Sequence, residues 1–162
     1  MPGAGHRPVR TDGRTHRNRG IRAQLADAQA LPFDDHCFDA VVAAWMLYHL
    51  PDLDQGLAEV RRVLRPGGVF VAITNGDQHT ADLRIAAGGR PKITGFSREN
   101  GEQSLRRHFD HVSAQHLTPY AIADHQQAKD YLASFDPALA ANLPGYDGER
   151  RYTGAVTVFT AR

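Results

Sequence analysis

The chain has 162 residues, 41% of them hydrophobic and 23% charged, and a formal net charge of +1. That is enough apolar material for one folded domain and too much for a chain disordered throughout. A single cysteine, Cys37, excludes a disulfide framework and any multi-thiolate metal site within one chain. The longest uncharged apolar run, residues 40–50, is too short to span a bilayer, so no membrane partner is expected. No apolar stretch follows the N-terminal arginines as a secretory signal requires, and a reduced cytoplasmic setting is the simplest expectation.

Charge is unevenly spread. Residues 1–22 hold Arg7, Arg10, Arg14, Arg17, Arg19 and Arg22 against one acid, Asp12, a net of +5 that leaves the other 140 residues at −4. Residues 1–20 show no helical or strand period and are expected to form a basic flexible arm, with residues 21–162 forming the folded part. No aromatic residue interleaves these arginines, which argues against a nucleic-acid binder.

Ile21–Leu25 can form a short strand that ends at Ala26-Asp27-Ala28, and residues 31–35 read as a turn. Phe38–Trp45 is the clearest strand. Its continuous run Val41-Val42-Ala43-Ala44 suits a strand buried on both faces in a parallel sheet. Asp52 caps the following helix, with Gln55 placed as in a capping box. Leu53, Leu57, Val60 and Leu64 form its apolar face, and Pro66-Gly67-Gly68 stops it. Val69–Thr74 is a second apolar strand. The order strand, helix, strand predicts a right-handed βαβ unit.

Thr80–Ala87 reads as a short helix, and Ser97 as the cap of a helix running to about His108. Val112–Leu117 reads as a strand. Asp124 caps a further helix with Ala128, Tyr131, Leu132 and Phe135 on one face. Residues 137–148 read as loop. Tyr152–Ala161 alternates and is rich in Val, Thr and Phe, as a final strand should be.

Residues 25–76 resemble the middle of a class I S-adenosylmethionine-dependent methyltransferase, of the type 11 kind that acts on small molecules. Three blocks carry the resemblance: Ala26-Asp27-Ala28 with Leu31-Pro32-Phe33; Phe38-Asp39 through His49-Leu50-Pro51; and Arg62 through Gly68. The resemblance implies an α/β, Rossmann-like, mostly parallel sheet with helices on both faces. It also implies an antiparallel closing strand between Val69–Thr74 and Val112–Leu117. The activity implied is S-adenosylmethionine-dependent methyl transfer to a small-molecule acceptor.

Site residues follow from the same resemblance. Asp27 would accept a hydrogen bond from the adenine amino group, which a carboxylate can do, and the N–H of Ala28 would meet a ring nitrogen. Ala44 and Trp45, just past the strand, would line the cofactor cleft, where open α/β sheets bind ligands. Methyl transfer needs little acid–base chemistry, because the sulfonium is already electrophilic and positioning is most of the task.

Each residue also has a plain structural reading. Asp27 can close an Asx-turn. Trp45 reads as core or cleft wall, and His49 as a packed, hydrogen-bonded residue rather than a base. His108, His111 and His116 straddle a helix end and a strand, which suits no metal site. Cys37 lies in a turn with nothing beside it to lower its pKa.

The family's first half should precede Asp27: a first strand with a glycine-rich turn, then a second strand ending in a ribose-binding acid. Those elements need roughly 50 or more residues, and only 26 stand before Asp27. Gly3-Ala4-Gly5 has no strand context and does not replace them. The expectation is therefore a domain lacking the first strands of the family. Its catalysis would be impaired by the missing glycine-rich motif, and its strand edge at Phe38–Trp45 would be open to self-association. The alternative is a methyltransferase-like fragment or interaction module that does not bind the cofactor alone.

Overall fold

The computed structural model describes residues 23–162. The expected arm, residues 1–20, lies outside them. Of the expected first strand only residues 23–25 are described, and they are irregular. Six strands follow: β1 Phe38–Ala44, β2 Leu64–Asn75, β3 Val112–Leu117, β4 Tyr120–Ala123, β5 Arg150–Thr153 and β6 Val156–Ala161. Five helices accompany them: α1 Leu53–Val63, α2 Ala81–Ala86, α3 Gly101–Leu105, α4 His125–Ala133 and α5 Pro137–Ala141.

The main sheet has the order β1-β2-β6-β3. β1 and β2 are parallel and are joined through α1, as the apolar strands on either side of a capped amphipathic helix predict. β6 enters antiparallel to both β2 and β3, in the expected place. β4 and β5 form a separate antiparallel pair. The mixed, open sheet with its helices is a Rossmann-like α/β arrangement.

Register explains the core. Val41, Phe70, Ala161 and Val112 stand in one row across the sheet, and Ala43, Ala72, Phe159 and Ala114 in the next. These rows meet Leu57 and Val60 of α1, Leu105 of α3, and Phe96 and Phe109. Phe70 stacks on Phe109 at 5.6 Å, and Phe96 meets Phe159 edge-on at 5.7 Å. Gly101 opens α3 directly beneath Phe159, where a Cβ would stand 2.7 Å from the ring, so a larger residue would push the helix off the sheet. A second, smaller core joins Leu83, Ala87, Ala128, Leu132, Ala140 and Tyr152 beneath the β4–β5 pair.

Several expectations need correction. β1 is not buried on both faces: Ala40, Val42 and Ala44 lie opposite the core and are exposed, Val42 at 64%. Among the described residues the main core fills only one side of the strand, and β1 forms an edge. α1 ends at Val63, because Phe38 already pairs with Leu64 before the ladder breaks and resumes at Ala40–Val69. Gly67 takes φ +79 in that break, a left-handed turn that glycine adopts at no steric cost. The capping box at Asp52 is half made. Asp52 Oδ1 accepts from Gln55 N at 2.9 Å, but Gln55 Nε2 donates to Gln29 O instead.

The helix expected from Ser97 to His108 shrinks to α3. Asn100 ties the preceding residues into a turn, accepting from Ser97 N and donating to Thr94 O. The final strand splits at Gly154, whose N–H donates to Pro119 O at 2.7 Å and whose missing Cβ makes room for that proline. Thus Tyr152 belongs to β5, and only Val156–Ala161 joins the main sheet. β4 and α5 were not foreseen. On α4, Ala128 and Leu132 are buried as expected, but Tyr131 and, two residues beyond the helix end, Phe135 are each 41% exposed.

Residues 27–35 are tied to α1 by one ion-pair network. Arg62 binds Glu59 through Nε and Nη2, and through its two terminal nitrogens reaches Asp35 and the carbonyls of Phe33 and Leu31. Glu59 Oε2 accepts from Leu31 N at 2.7 Å. The Arg62 guanidinium, with that N–H, pulls the Glu59 carboxyl down to about 2. A depressed carboxyl pKa gives stability that is present above the unfolded value, near 4.5, and is lost as pH falls toward 2. Urea midpoints should therefore drop between about pH 5 and pH 3 in the wild type. Glu59→Gln should lower the midpoint at pH 5 and flatten this dependence.

Candidate active site

The carboxyl ends of β1 and β2 open onto the site, as open α/β sheets require. β1 ends at Ala44, which is exposed on the face opposite the core. The next residue, Trp45, takes φ +51, an uncommon conformation for a bulky side chain. Two bonds hold it there. Its backbone N–H donates to Ile73 O at 2.8 Å, and its indole Nε1 donates to Asn75 Oδ1 at 3.1 Å. The indole is 47% exposed, so Trp45 is a wall at the strand ends rather than core.

Asp27 and Ala28 stand at the same end. Gln29 Oε1 accepts from Asp52 N, and Gln29 O from Gln55 Nε2, so this segment docks on the first turn of α1. Asp27 closes the Asx-turn that its residue type permits, with Oδ1 accepting from Gln29 N at 2.9 Å. Its side chain is exposed, and among the described residues Oδ2 and the Ala28 N–H have no hydrogen-bond partner. A free carboxylate oxygen beside a free N–H is the complement of an amino group beside a ring nitrogen.

Beside Trp45, whose indole partner Asn75 stands on its wall, lies a polar cavity of about 230 Å³. Tyr48 and His49 reach it from the 3-10 turn after β1, and Asn75 and Gly76 from the end of β2. Arg84 of α2, Lys92 and Thr94 of the following loop, and Tyr131 and Phe135 at the end of α4 close it. His49 is exposed on this wall, its ring tilted 50° to that of Tyr48 at 4.4 Å, so it is not the packed residue expected. Burial raises the Tyr48 phenol above its ordinary pKa, with Tyr131 adding to the effect. A second, apolar cavity of about 280 Å³ sits beneath β4 and β5 and shares His79 and Tyr131 with the first.

His79 joins the two cavities. Its Nδ1 lies 3.1 Å from the Ala155 N and 3.2 Å from the Ala155 O; the N–H can only donate, whereas the O already accepts from Gly76 N at 2.8 Å. Nδ1 therefore accepts, and the ring proton belongs on Nε2. Burial pushes the imidazole below its ordinary pKa, so it is neutral near pH 7.

The sequence placed Trp45 and Ala44 at the strand ends but missed His79, Arg84, Lys92, Tyr131 and Phe135. Their one signal was the pair Tyr131 and Phe135, apolar residues flanking a buried face and free to serve a cavity. The three histidines go separate ways among the described residues: His108 meets Asp54, His116 meets Thr157, and the His111 backbone pairs with Arg162. Cys37 is half-buried, with its N–H on Val63 O.

Comparison with known proteins bears on this geometry. The family model described as Methyltransferase domain matches residues 7–72. Methyltransferase GfsG of Streptomyces halstedii is 33% identical over 139 residues, covering 86% of this chain and 46% of that protein. The ubiquinone/menaquinone biosynthesis C-methyltransferase UbiE of Acidiphilium cryptum is 49% identical over 57 residues, 35% of this chain and 23% of that protein. A crystal structure described as a putative methyltransferase of Bacillus halodurans superposes with a TM-score of 0.63 at 15% identity, over 89% of this chain and 78% of its own. The chain thus spans about half the length, or less, of the curated relatives it matches.

Trp45 supplies a spectroscopic check, since it is the chain's one tryptophan. Asn75→Ala removes its indole partner. The emission maximum should move to longer wavelength, and stability should fall by about 0.5–1.5 kcal/mol, the range for one hydrogen bond. An unchanged spectrum would mean that Asn75 does not hold the indole. Strand order, motif blocks and relatives agree: the chain is similar to methyltransferases, and its fold is that of the methyltransferase structure it superposes with.

Proposed function

We propose that this chain performs S-adenosylmethionine-dependent methyl transfer to a small-molecule acceptor, in the cytoplasm. The observation that carries the reading is the pair of Asp27 Oδ2 and the Ala28 N–H, unpartnered among the described residues and docked on the start of α1 at the carboxyl ends of the strands. Bound there, S-adenosylmethionine would supply a methyl group already activated by its sulfonium. Asp27 accepts from the adenine amino group, and the Ala28 N–H donates to a ring nitrogen. Trp45, fixed by Asn75 and Ile73, walls the cleft beside Ala44. The acceptor occupies the neighbouring polar cavity, where the protein's task is to orient a lone pair toward the methyl carbon and to exclude water. The methyltransferase relatives support the same reading.

Isothermal titration with S-adenosylhomocysteine tests the cofactor site without turnover. Asp27→Ala should weaken binding about ten- to hundred-fold, the range for a hydrogen bond to a charged group. Asp27→Asn should cost less, because it keeps an acceptor oxygen. Asp34→Ala is the control, since Asp34 makes no hydrogen bond to the Arg62 network, whereas Asp35 does. Equal losses at Asp27 and Asp34 would point to general electrostatics. No binding at all would favour the non-catalytic alternative.

The outer edge of β1 and its exposed Val42 support self-association through that strand. Sedimentation velocity should then show a dimer that Val42→Lys converts to monomer, and a wild-type monomer would refute it.

A further inference from the structure

The polar cavity has a charge character that the methyl-transfer reading does not explain. Among the described residues two cations line it, Arg84 and Lys92, and no carboxylate does. The Arg84 guanidinium lies 4.2 Å over the Phe135 ring, and its buried Nε has no hydrogen-bond partner among the described residues. A buried donor without an acceptor is costly, and a guanidinium is shaped to grip a planar or tetrahedral oxyanion. Lys92 Nζ lies 5.8 Å over the Tyr48 ring and makes no ion pair among the described residues. The nearby acid on α2 is already engaged: Asp82 accepts from the N–H groups of Leu83 and Thr153.

His79 adds a third donor. With Nδ1 accepting from the Ala155 backbone, its Nε2–H is the free hydrogen-bonding group, and burial keeps the ring neutral. The remaining walls are the rings of Tyr48, Tyr131 and Phe135, together with His49, Asn75, Gly76 and Thr94. Three donors and three aromatic faces around about 230 Å³ describe a flat apolar body that carries one anionic oxygen group.

We infer that the methyl acceptor is an aromatic acid, with its carboxylate or phosphate held by Arg84, Lys92 and the Nε2–H of His79. Its ring lies among Tyr48, Tyr131 and Phe135. This rests on the methyl-transfer reading for the word acceptor, but the anion site itself does not depend on bound cofactor.

The test is isothermal titration of the full chain, without cofactor, with three probes of one shape: 1-naphthoate, 1-naphthyl phosphate and neutral 1-naphthamide. One or both acids should bind at least about tenfold more tightly than the amide, the least that a hydrogen bond to a charged group contributes. Whichever acid binds better identifies carboxylate or phosphate as the natural group. Arg84→Gln should remove that preference, and an unchanged far-UV circular dichroism spectrum shows that the variant is folded. Lys92→Gln, at an exposed position, should reduce the preference several-fold. Salt should weaken acid binding and spare the amide.

Amide binding equal to that of both acids, or no binding of either acid, would overturn the inference. So would an acid preference that survives Arg84→Gln. A parallel titration with S-adenosylhomocysteine keeps the two readings apart. Acid binding without cofactor binding would sink methyl transfer and keep the anion site, and the reverse result would do the opposite.

Discussion

The position of the candidate site depends on Arg62. One guanidinium gathers Glu59, Asp35 and the carbonyls of Phe33 and Leu31, and so fastens the irregular stretch 27–35 along α1. Among the described residues nothing in that stretch has a strand partner to hold it; its one β-bridge is internal, between Asp27 and Ala30. Without Arg62 the two carbonyls would lose their donor, and the stretch would keep its contacts through Gln29 and the Leu31 N–H bond to Glu59. The arrangement suits arginine because its planar fork serves several acceptors at once, which a lysine ammonium on a single stem cannot reproduce. An exposed salt bridge usually contributes little. This one matters because it positions a binding group, whatever it adds to stability.

Legibility in the sequence followed locality. β1, α1 and β2 were readable because each has its cause within a few residues: an apolar run, a capping Asp52, a turn at Gly67. The placement of β6 was readable only through the family resemblance, since alternation in Val156–Ala161 says nothing about which strands flank it. The split at Gly154 was invisible, because its cause is Pro119, some thirty-five residues earlier in the chain. The exposed face of β1 was misread for a related reason. A continuous apolar run reports what a strand can tolerate on both sides, and burial depends on what actually packs there.

The polar cavity was the least readable feature. Its walls come from five separate segments, and none forms a motif with its sequence neighbours. Arg84 looked like an ordinary basic residue of a short helix, and Lys92 like a loop lysine. What distinguishes them is a shortage of partners, a property that exists only once the chain is folded. His79 is similar: its tautomer is set by the backbone of Ala155, seventy-six positions away.

The two apolar cores have a consequence for motion. One holds the main sheet with α1 and α3; the other holds α2, α4, α5 and β5. The seam between them runs past Gly76 and Ala155, and the polar cavity lies across it, with Tyr48 and Asn75 on one bank and Arg84 and Phe135 on the other. The smaller core has fewer large side chains and so forms the weaker cooperative unit, the one that opens first under native conditions. Amide exchange in α2 and α4 therefore reports subglobal opening, whereas exchange in β2 and β6 reports global unfolding. A molecule that bridges the seam would slow the first without touching the second.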